Sequence, residues 1–125
     1  MPPAVNAESM KERTKHFALG VIRLCRSLPR SPEASIISRQ LMRSATSVGA
    51  NYRAVCRARS TPDFISKLGI VLEETDESLF WIELLVDAGI SSEDKTNALK
   101  VEAGELVAIF VASLCTAKGA SKSTI

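Results

Sequence analysis

Arginines recur at helical spacing between residues 39 and 59, where their side chains could bind phosphate or carboxylate. Arg39, Arg43, Arg53 and Arg57 fall on one side of such a helix, and small residues separate the two pairs. A guanidinium group presents a planar fork of N–H donors that suits both kinds of anion. This arginine stripe therefore predicts either a nucleic-acid surface or a row of ion pairs.

Carboxylates in the following segment favour ion pairs for part of the stripe. Antiparallel packing through a short loop would place them beside the arginines, where exposed pairs would mainly set the register. Asn51 should donate a hydrogen bond across the same helix pair, because an unpaired buried amide costs about 1–3 kcal/mol. The residues predicted to form these polar contacts are Arg43, Asn51, Glu73, Glu74 and Glu77. The arginines predicted to remain for nucleic acid are Arg23, Arg26, Arg30, Arg39, Arg53, Arg57 and Arg59.

Catalysis and metal binding find little support among the other reactive residues. The only histidine is His16, and no carboxylate stands at the three-residue spacing from it that a di-iron bundle requires. Cys25, Cys56 and Cys115 are widely spaced in apolar stretches, which predicts free buried thiols in a reducing compartment. There is no glycine-rich phosphate loop. We therefore predict a non-enzymatic protein with no catalytic residues, no metal and no cofactor.

The composition is typical of a single globular domain over residues 1–125, since 46% of the residues are hydrophobic and 24% are charged. Residues 1–60 contain 11 Lys or Arg and 3 Asp or Glu, whereas residues 61–125 contain 5 and 11. This asymmetry predicts a half that faces nucleic acid or two halves that neutralise each other. No signal peptide or membrane span is recognisable, which favours a cytoplasmic protein without a membrane partner.

Four segments have the 3.6-residue apolar period of amphipathic helices. The second segment should run from about Glu33 to Ala58. Breaks are predicted near Pro29–Pro32, Arg59–Thr61 and Gly89–Ser91. The sequence thus predicts an all-α, up-down-up-down antiparallel four-helix bundle, with a loose leader (1–7) and a loose tail (118–125).

Two helix starts carry recognisable capping signals. Thr61 followed by Pro62 predicts that Thr61 caps the third helix. Ser91 followed three residues later by Asp94 predicts a capping box for the fourth. Both signals place the helix boundaries at short loops, which supports antiparallel neighbours.

A second apolar face predicts self-association. Residues 106–115 are apolar around nearly the whole circumference of a helix, and a helix of that kind is buried on all sides. The alternative is a wide core face with a few stray apolar positions. The residues predicted to form the subunit interface are Phe80, Trp81, Leu84, Ile109 and Val111.

Two segments carry a family resemblance that extends from about Phe17 to Val111. "FALGVIRLCRSLP" and "QLMRSATSVGANYRAVCRARSTPDFISKLGIVLEETDESLFWIELL" resemble the bacterial four-helix bundle proteins known from intervening sequences in 23S ribosomal RNA genes. The resemblance implies a left-handed homopentameric bundle. It also implies a structural relationship to the accessory variability protein of diversity-generating retroelements, whose basic barrel binds a reverse transcriptase and nucleic acid. The family offers no catalytic residues.

One position departs from the family pattern. In the family pattern, an asparagine corresponds to Asn51, and a glutamate commonly stands three residues after it. In this sequence that position is Ala54. A site that depends on this acid is therefore not expected.

Two functions remain open at the level of sequence. The first is a non-catalytic oligomer that binds RNA or DNA without sequence specificity, or a ribonucleoprotein partner, through a basic surface. The alternative is a structural or protein-interaction scaffold whose charges serve only assembly. The partners predicted are the chain itself, as a homopentamer, together with nucleic acid or a partner protein. Six or more cations left free after assembly would favour the first function.

Overall fold

Four α-helices make up the structure, a computed structural model that describes residues 6–123, with side chains described for residues 6–119. The helices are α1 (Ala7–Arg26), α2 (Pro32–Val55), α3 (Thr61–Asp87) and α4 (Glu93–Ser123). No strand occurs between residues 6 and 123. The all-α prediction with four helices is therefore confirmed.

Each of the first three helices begins at a polar side chain that accepts a hydrogen bond from a backbone N–H group of the first turn. The Asn6 side chain accepts hydrogen bonds from the Glu8 and Ser9 amides, and the Ser31 hydroxyl accepts one from the Ala34 amide. The Ser60 hydroxyl accepts from Asp63, so Ser60 caps α3. The prediction that Thr61 caps α3 is wrong, because Thr61 is already the first helical residue.

Two helix ends follow from backbone hydrogen bonding. α2 ends at Val55, three residues before the predicted Ala58, because the chain tightens into successive three-residue turns. After α3, Gly89 has a φ of +73°, a conformation that favours glycine. The Gly89 and Ile90 amides there donate back to the carbonyls of α3, which closes the helix at the predicted break.

α4 starts one residue later than the predicted capping box requires. The Ser92 hydroxyl accepts the Lys95 amide at 3.3 Å, whereas the Ser91 hydroxyl is buried and has no partner among the described residues. The predicted Ser91–Asp94 capping box is therefore wrong. At its other end α4 extends through Ser123, so helix replaces most of the predicted loose tail. Residues 1–5 of the predicted leader, and residues 124–125, lie outside the described residues.

Replacing Ser91 by alanine is expected to leave stability unchanged or raise it by about 1 kcal/mol. A buried hydroxyl without a hydrogen-bond partner opposes folding by about 1–3 kcal/mol, and alanine removes that group without changing the backbone. Urea denaturation of the wild type and the variant measures the difference. Ser92→Ala is the matched control, and it should destabilise the protein by about 1 kcal/mol through loss of the cap. Loss of stability in the Ser91 variant would show that its hydroxyl has a partner.

The core is formed by the apolar faces of all four helices. Its largest fully buried side chains include Phe17, Leu41, Leu68, Ile82 and Phe110. α2 packs against α1 and α3, and α4 packs against α3 and α1. None of the helices between residues 6 and 123 has the length and apolar character that crossing a membrane requires.

The small residues of α2 divide between two surfaces. Ser44 and Ala45 are completely buried, and the Ser44 hydroxyl lies 2.9 Å from that of Ser78 on α3. Ala50 is exposed and Gly49 is half-buried on the side that faces α1. The first pair allows α2 and α3 to approach closely, while the second pair leaves space along α1.

Candidate nucleic-acid interface

Four cationic side chains line a groove between α1 and α2. Lys11 and Lys15 come from α1, Arg53 comes from α2, and Arg57 comes from the turn that follows α2. The groove has a volume of about 510 Å³, and among the described residues no carboxylate belongs to its lining. The remaining lining residues are small: Ala18, Thr46, Gly49 and Ala50. We refer to this feature as the basic groove.

The floor of the basic groove is lined by small side chains from both helices. A Cβ atom at Gly49 would lie 3.6 Å from the Thr14 backbone, which is ordinary van der Waals contact. Lys11 and Lys15 are four residues apart on α1 and so project from the same side of that helix. Arg53 and Arg57 line the other side of the groove. Two short rows of cations therefore flank a floor that contains no bulky side chain.

Most of the positive charge in the basic groove is not neutralised by the side chains of residues 6–119. Lys15, Arg53 and Arg57 have no carboxylate within 4.0 Å among residues 6–119. Lys11 pairs with Glu8 at 3.1 Å, but Glu8 is 82% exposed, and an exposed pair of this kind contributes little. Like charges held together repel one another, and a bound polyanion would relieve that repulsion.

Arg43 of the same stripe is held by carboxylates of α3. Its guanidinium lies 3.2 Å from the Glu74 carboxylate and also binds Glu77. The Trp81 indole N–H donates to Glu77 at 3.1 Å, and this bond, together with Arg43, lowers the pKa of the Glu77 carboxyl. Arg43 thus belongs to the α2–α3 contact, whereas Arg53 and Arg57 do not.

The other two residues of the predicted polar contact lie elsewhere. The Asn51 amide donates to the Ser47 carbonyl at 2.9 Å, one turn back in the same helix. The prediction of a hydrogen bond across the helix pair is therefore wrong, because α2 itself satisfies this half-buried amide. Glu73 is exposed and has no cation within 4.0 Å among the residues whose side chains are described.

The arginines predicted to bind nucleic acid do not form one surface. Arg26 and Arg30 line a cleft at the α1–α2 loop, and Arg23 lines a second cleft with Lys95 of α4. This end of the molecule is separated from Arg53 by most of α2, which is roughly 35 Å long at 1.5 Å per residue. The predicted set therefore splits into two ends, with exposed Arg39 in between.

Sequence reasoning missed the cations of α1. Lys11 and Lys15 have the same four-residue spacing as Arg53 and Arg57, and that spacing was the available signal. Arg13 projects to another side, where it binds Glu102 through two hydrogen bonds of 2.7 and 2.8 Å and Glu105 through one of 2.7 Å. These bonds raise the pKa of Arg13 and tie α1 to α4.

An aromatic cavity lies beside the basic groove at the end of α2. It has a volume of about 660 Å³, and its lining includes Tyr52, Phe64 and Phe110 as well as Arg59. The Tyr52 and Phe110 rings are 6.0 Å apart. Arg59 therefore lies near the basic groove along the chain but faces a different cavity.

The pKa of the Tyr52 hydroxyl is expected to lie well above that of an exposed tyrosine. Burial, and then the neighbouring Cys56, raises the pKa of Tyr52 to about 12. Because the folded-state pKa exceeds the unfolded value of about 10, the associated stability is present below pH 10 and is lost as pH rises through 12. Tyr52 is the only tyrosine, so phenolate absorbance followed against pH reports it alone. A midpoint near 10 in the folded protein would contradict the burial of this hydroxyl.

The predicted interface residues lie on α3 and α4 with unequal exposure. Phe80 and Val111 are 52% and 44% exposed, while Trp81, Leu84 and Ile109 are half-buried. Phe80 and Trp81 pack edge to face with ring centroids 4.9 Å apart. Large apolar side chains outside the predicted set are also exposed, namely Leu19, Ile36, Ile70 and Val101. Each of the four helices therefore contributes exposed apolar side chains.

Other reactive groups are dispersed. No three His, Cys, Asp or Glu residues in the described part of the chain come close enough to hold a metal ion. His16 is exposed. The prediction of buried thiols is wrong for Cys56 and Cys115, which are exposed because their positions face away from the core, whereas Cys25 is half-buried. The described residues thus offer cation surfaces and clefts rather than a reactive centre.

These features define a helical bundle with a basic groove on its surface. The chain belongs to the 23S rRNA-intervening sequence protein family, whose model matches residues 8–112. The family resemblance seen in the sequence is thereby confirmed. No curated protein matches the chain significantly.

A solved structure resembles this one closely. It is the 1.70 Å crystal structure of a protein of unknown function from the S23 ribosomal protein family of Bacteroides thetaiotaomicron VPI-5482. The two chains are 30% identical, with a TM-score of 0.77 over 83% of this chain and 96% of the other. The similarity supports the four-helix architecture, and it assigns no activity.

Proposed function

We propose that this protein is a non-catalytic homo-oligomeric bundle that binds nucleic acid through its basic groove. The observation that carries the proposal is the convergence of Lys11, Lys15, Arg53 and Arg57 in one groove whose described lining contains no carboxylate. Phosphate contacts supply most of the affinity in sequence-independent binding. A partner protein, or the shape of the nucleic acid, would then provide any specificity.

Residue pairs support an up-down-up-down topology for the bundle. Cys25, late in α1, lies 3.8 Å from the carbonyl of Ser38, early in α2. Thr14, early in α1, packs beside Gly49, late in α2. Such reversed pairing is what antiparallel neighbours joined by short loops produce.

Assembly into a pentamer is proposed from two sources. The exposed Phe80 and Val111 provide an apolar surface on neighbouring helices, and the number five comes from the family resemblance. Light scattering should give five times the chain mass of 13.5 kDa. Phe80→Asp should dissociate the oligomer, whereas Ile36→Asp on the exposed face of α2 should not. A monomer mass for the wild type at micromolar concentration would contradict the proposal.

The scaffold function is the second candidate, and the ion pairs favour it for part of the charge. Arg13 and Arg43 are both bound by carboxylates of another helix, so these two arginines serve the bundle itself. Exposed Glu73 on α3 of a neighbouring subunit would be available to neutralise the basic groove in the same way. Fluorescence anisotropy with labelled RNA at about 50 mM salt decides between the two functions. Saturable binding supports the nucleic-acid function, and its absence leaves the scaffold.

A further inference from the structure

We infer that the basic groove holds adjacent phosphates of a single nucleic-acid strand that runs along the helix axes, an inference that rests on the proposed function. The ligand is then the phosphodiester backbone of one strand rather than an isolated anion. Two features of the groove carry this inference: the line that its cations follow, and the smallness of its floor.

The cations follow a line along the groove. Thr14 packs beside Gly49. Lys11 is about one turn before Thr14 and Arg53 one turn after Gly49, so on antiparallel helices these two cations come to the same height. Lys15 and Arg57 then extend the positive charge in opposite directions. A single anion would be served by cations gathered around a point, whereas this arrangement suits a chain of anions.

The spacing of the cations favours a nucleic acid over inorganic polyphosphate. Residues four apart on a helix have side chains about 6 Å apart. Adjacent phosphates in a nucleic-acid strand are separated by a sugar, while those of polyphosphate share one bridging oxygen. The wider repeat fits the distance between Lys11 and Lys15, which lie four residues apart on α1.

The floor of the groove allows a backbone to approach but offers nothing that reads bases. Ala18, Gly49 and Ala50 present neither a side-chain hydrogen-bond donor nor an aromatic ring. The Thr46 hydroxyl, the remaining polar group of the floor, donates to the Met42 carbonyl of its own helix at 2.7 Å. Base-specific recognition requires polar groups at base edges, and base stacking requires an aromatic platform. The strand therefore binds through its phosphates, with the bases directed outward.

Filling the floor without changing its charge tests this arrangement. In Ala50→Leu, an exposed residue of the lining gains a side chain that occupies the path of the strand. Ser66→Leu, at an exposed position on α3, is the matched control. The probe is a fluorescein-labelled oligouridylate RNA, followed by anisotropy at low salt. Light scattering and circular dichroism establish that both variants keep the wild-type assembly and helix content.

We expect Ala50→Leu to weaken RNA binding by about tenfold or more, and Ser66→Leu to bind like the wild type. If Ala50→Leu binds RNA as tightly as the wild type does, the proposed path of the strand along the groove is wrong, while the proposed function stands. Absence of RNA binding in the wild type removes the proposed function itself. Inorganic tripolyphosphate at equal phosphate concentration should displace the RNA poorly, and displacement as effective as that by unlabelled RNA would overturn the spacing argument.

Discussion

Replacing Arg53 and Arg57 together by alanine is expected to remove most of the affinity for RNA and to leave the oligomer intact. Neither guanidinium contacts a carboxylate within 4.0 Å among the described side chains, so the bundle loses no ion pair. Each lost phosphate contact should also lower the salt dependence by about 0.7–0.9 log units per log unit of salt. Anisotropy with labelled RNA over a range of salt concentrations measures both effects.

The matched control is Arg23→Ala combined with Arg39→Ala. It makes the same change in net charge at two exposed arginines outside the basic groove. We expect its affinity to stay within about threefold of the wild type, because only screened long-range attraction is lost. Equal losses in both double variants would show that net charge matters and the groove does not. Dissociation or unfolding of the Arg53 and Arg57 variant would instead support the scaffold function.

Replacing Phe110 by alanine is expected to destabilise the bundle by about 3–5 kcal/mol. Phe110 of α4 is 1% exposed, and its ring packs against Tyr52 of α2 at a centroid distance of 6.0 Å. Truncation removes buried apolar surface and enlarges a cavity that the neighbouring side chains cannot refill. Urea denaturation at a fixed protein concentration measures the loss, since assembly makes stability concentration-dependent.

Val101→Ala on the same helix is the control for Phe110→Ala. Val101 is 51% exposed, so its truncation should change stability by less than about 0.5 kcal/mol. A loss below about 1 kcal/mol in the Phe110 variant would contradict the position of this ring between α2 and α4.

The number and approximate bounds of the helices follow from the sequence because the apolar period and the helix breakers agree. Gly89 closes α3 where predicted, since the turn there needs a positive φ. The caps of α3 and α4 were each misplaced by one residue. At both sites two neighbouring hydroxyl residues have the same capping ability, and only the local backbone conformation decides between Ser60 and Thr61, or between Ser91 and Ser92.

The candidate site was only half predictable for a different reason. Spacing along one helix identifies a row of cations, and Arg53 and Arg57 were found in that way. Whether that row meets Lys11 and Lys15 depends on how α1 and α2 are rotated against each other, which no single helix encodes. By contrast, the pairing of Arg43 with Glu74 and Glu77 follows from the sequence, because a short loop places the arginines of α2 beside the carboxylates of α3.

Binding of single-stranded RNA and duplex DNA to the wild-type protein across a salt series tests most directly whether the basic groove is a phosphate site. Four cations line each groove, so a single strand that contacts all of them should give a log–log slope of about −3 per occupied groove, at about 0.7 per contact. A steeper slope is expected if several grooves of the oligomer are occupied by one strand. No binding at about 50 mM salt, or a slope near zero, would contradict a phosphate-binding groove.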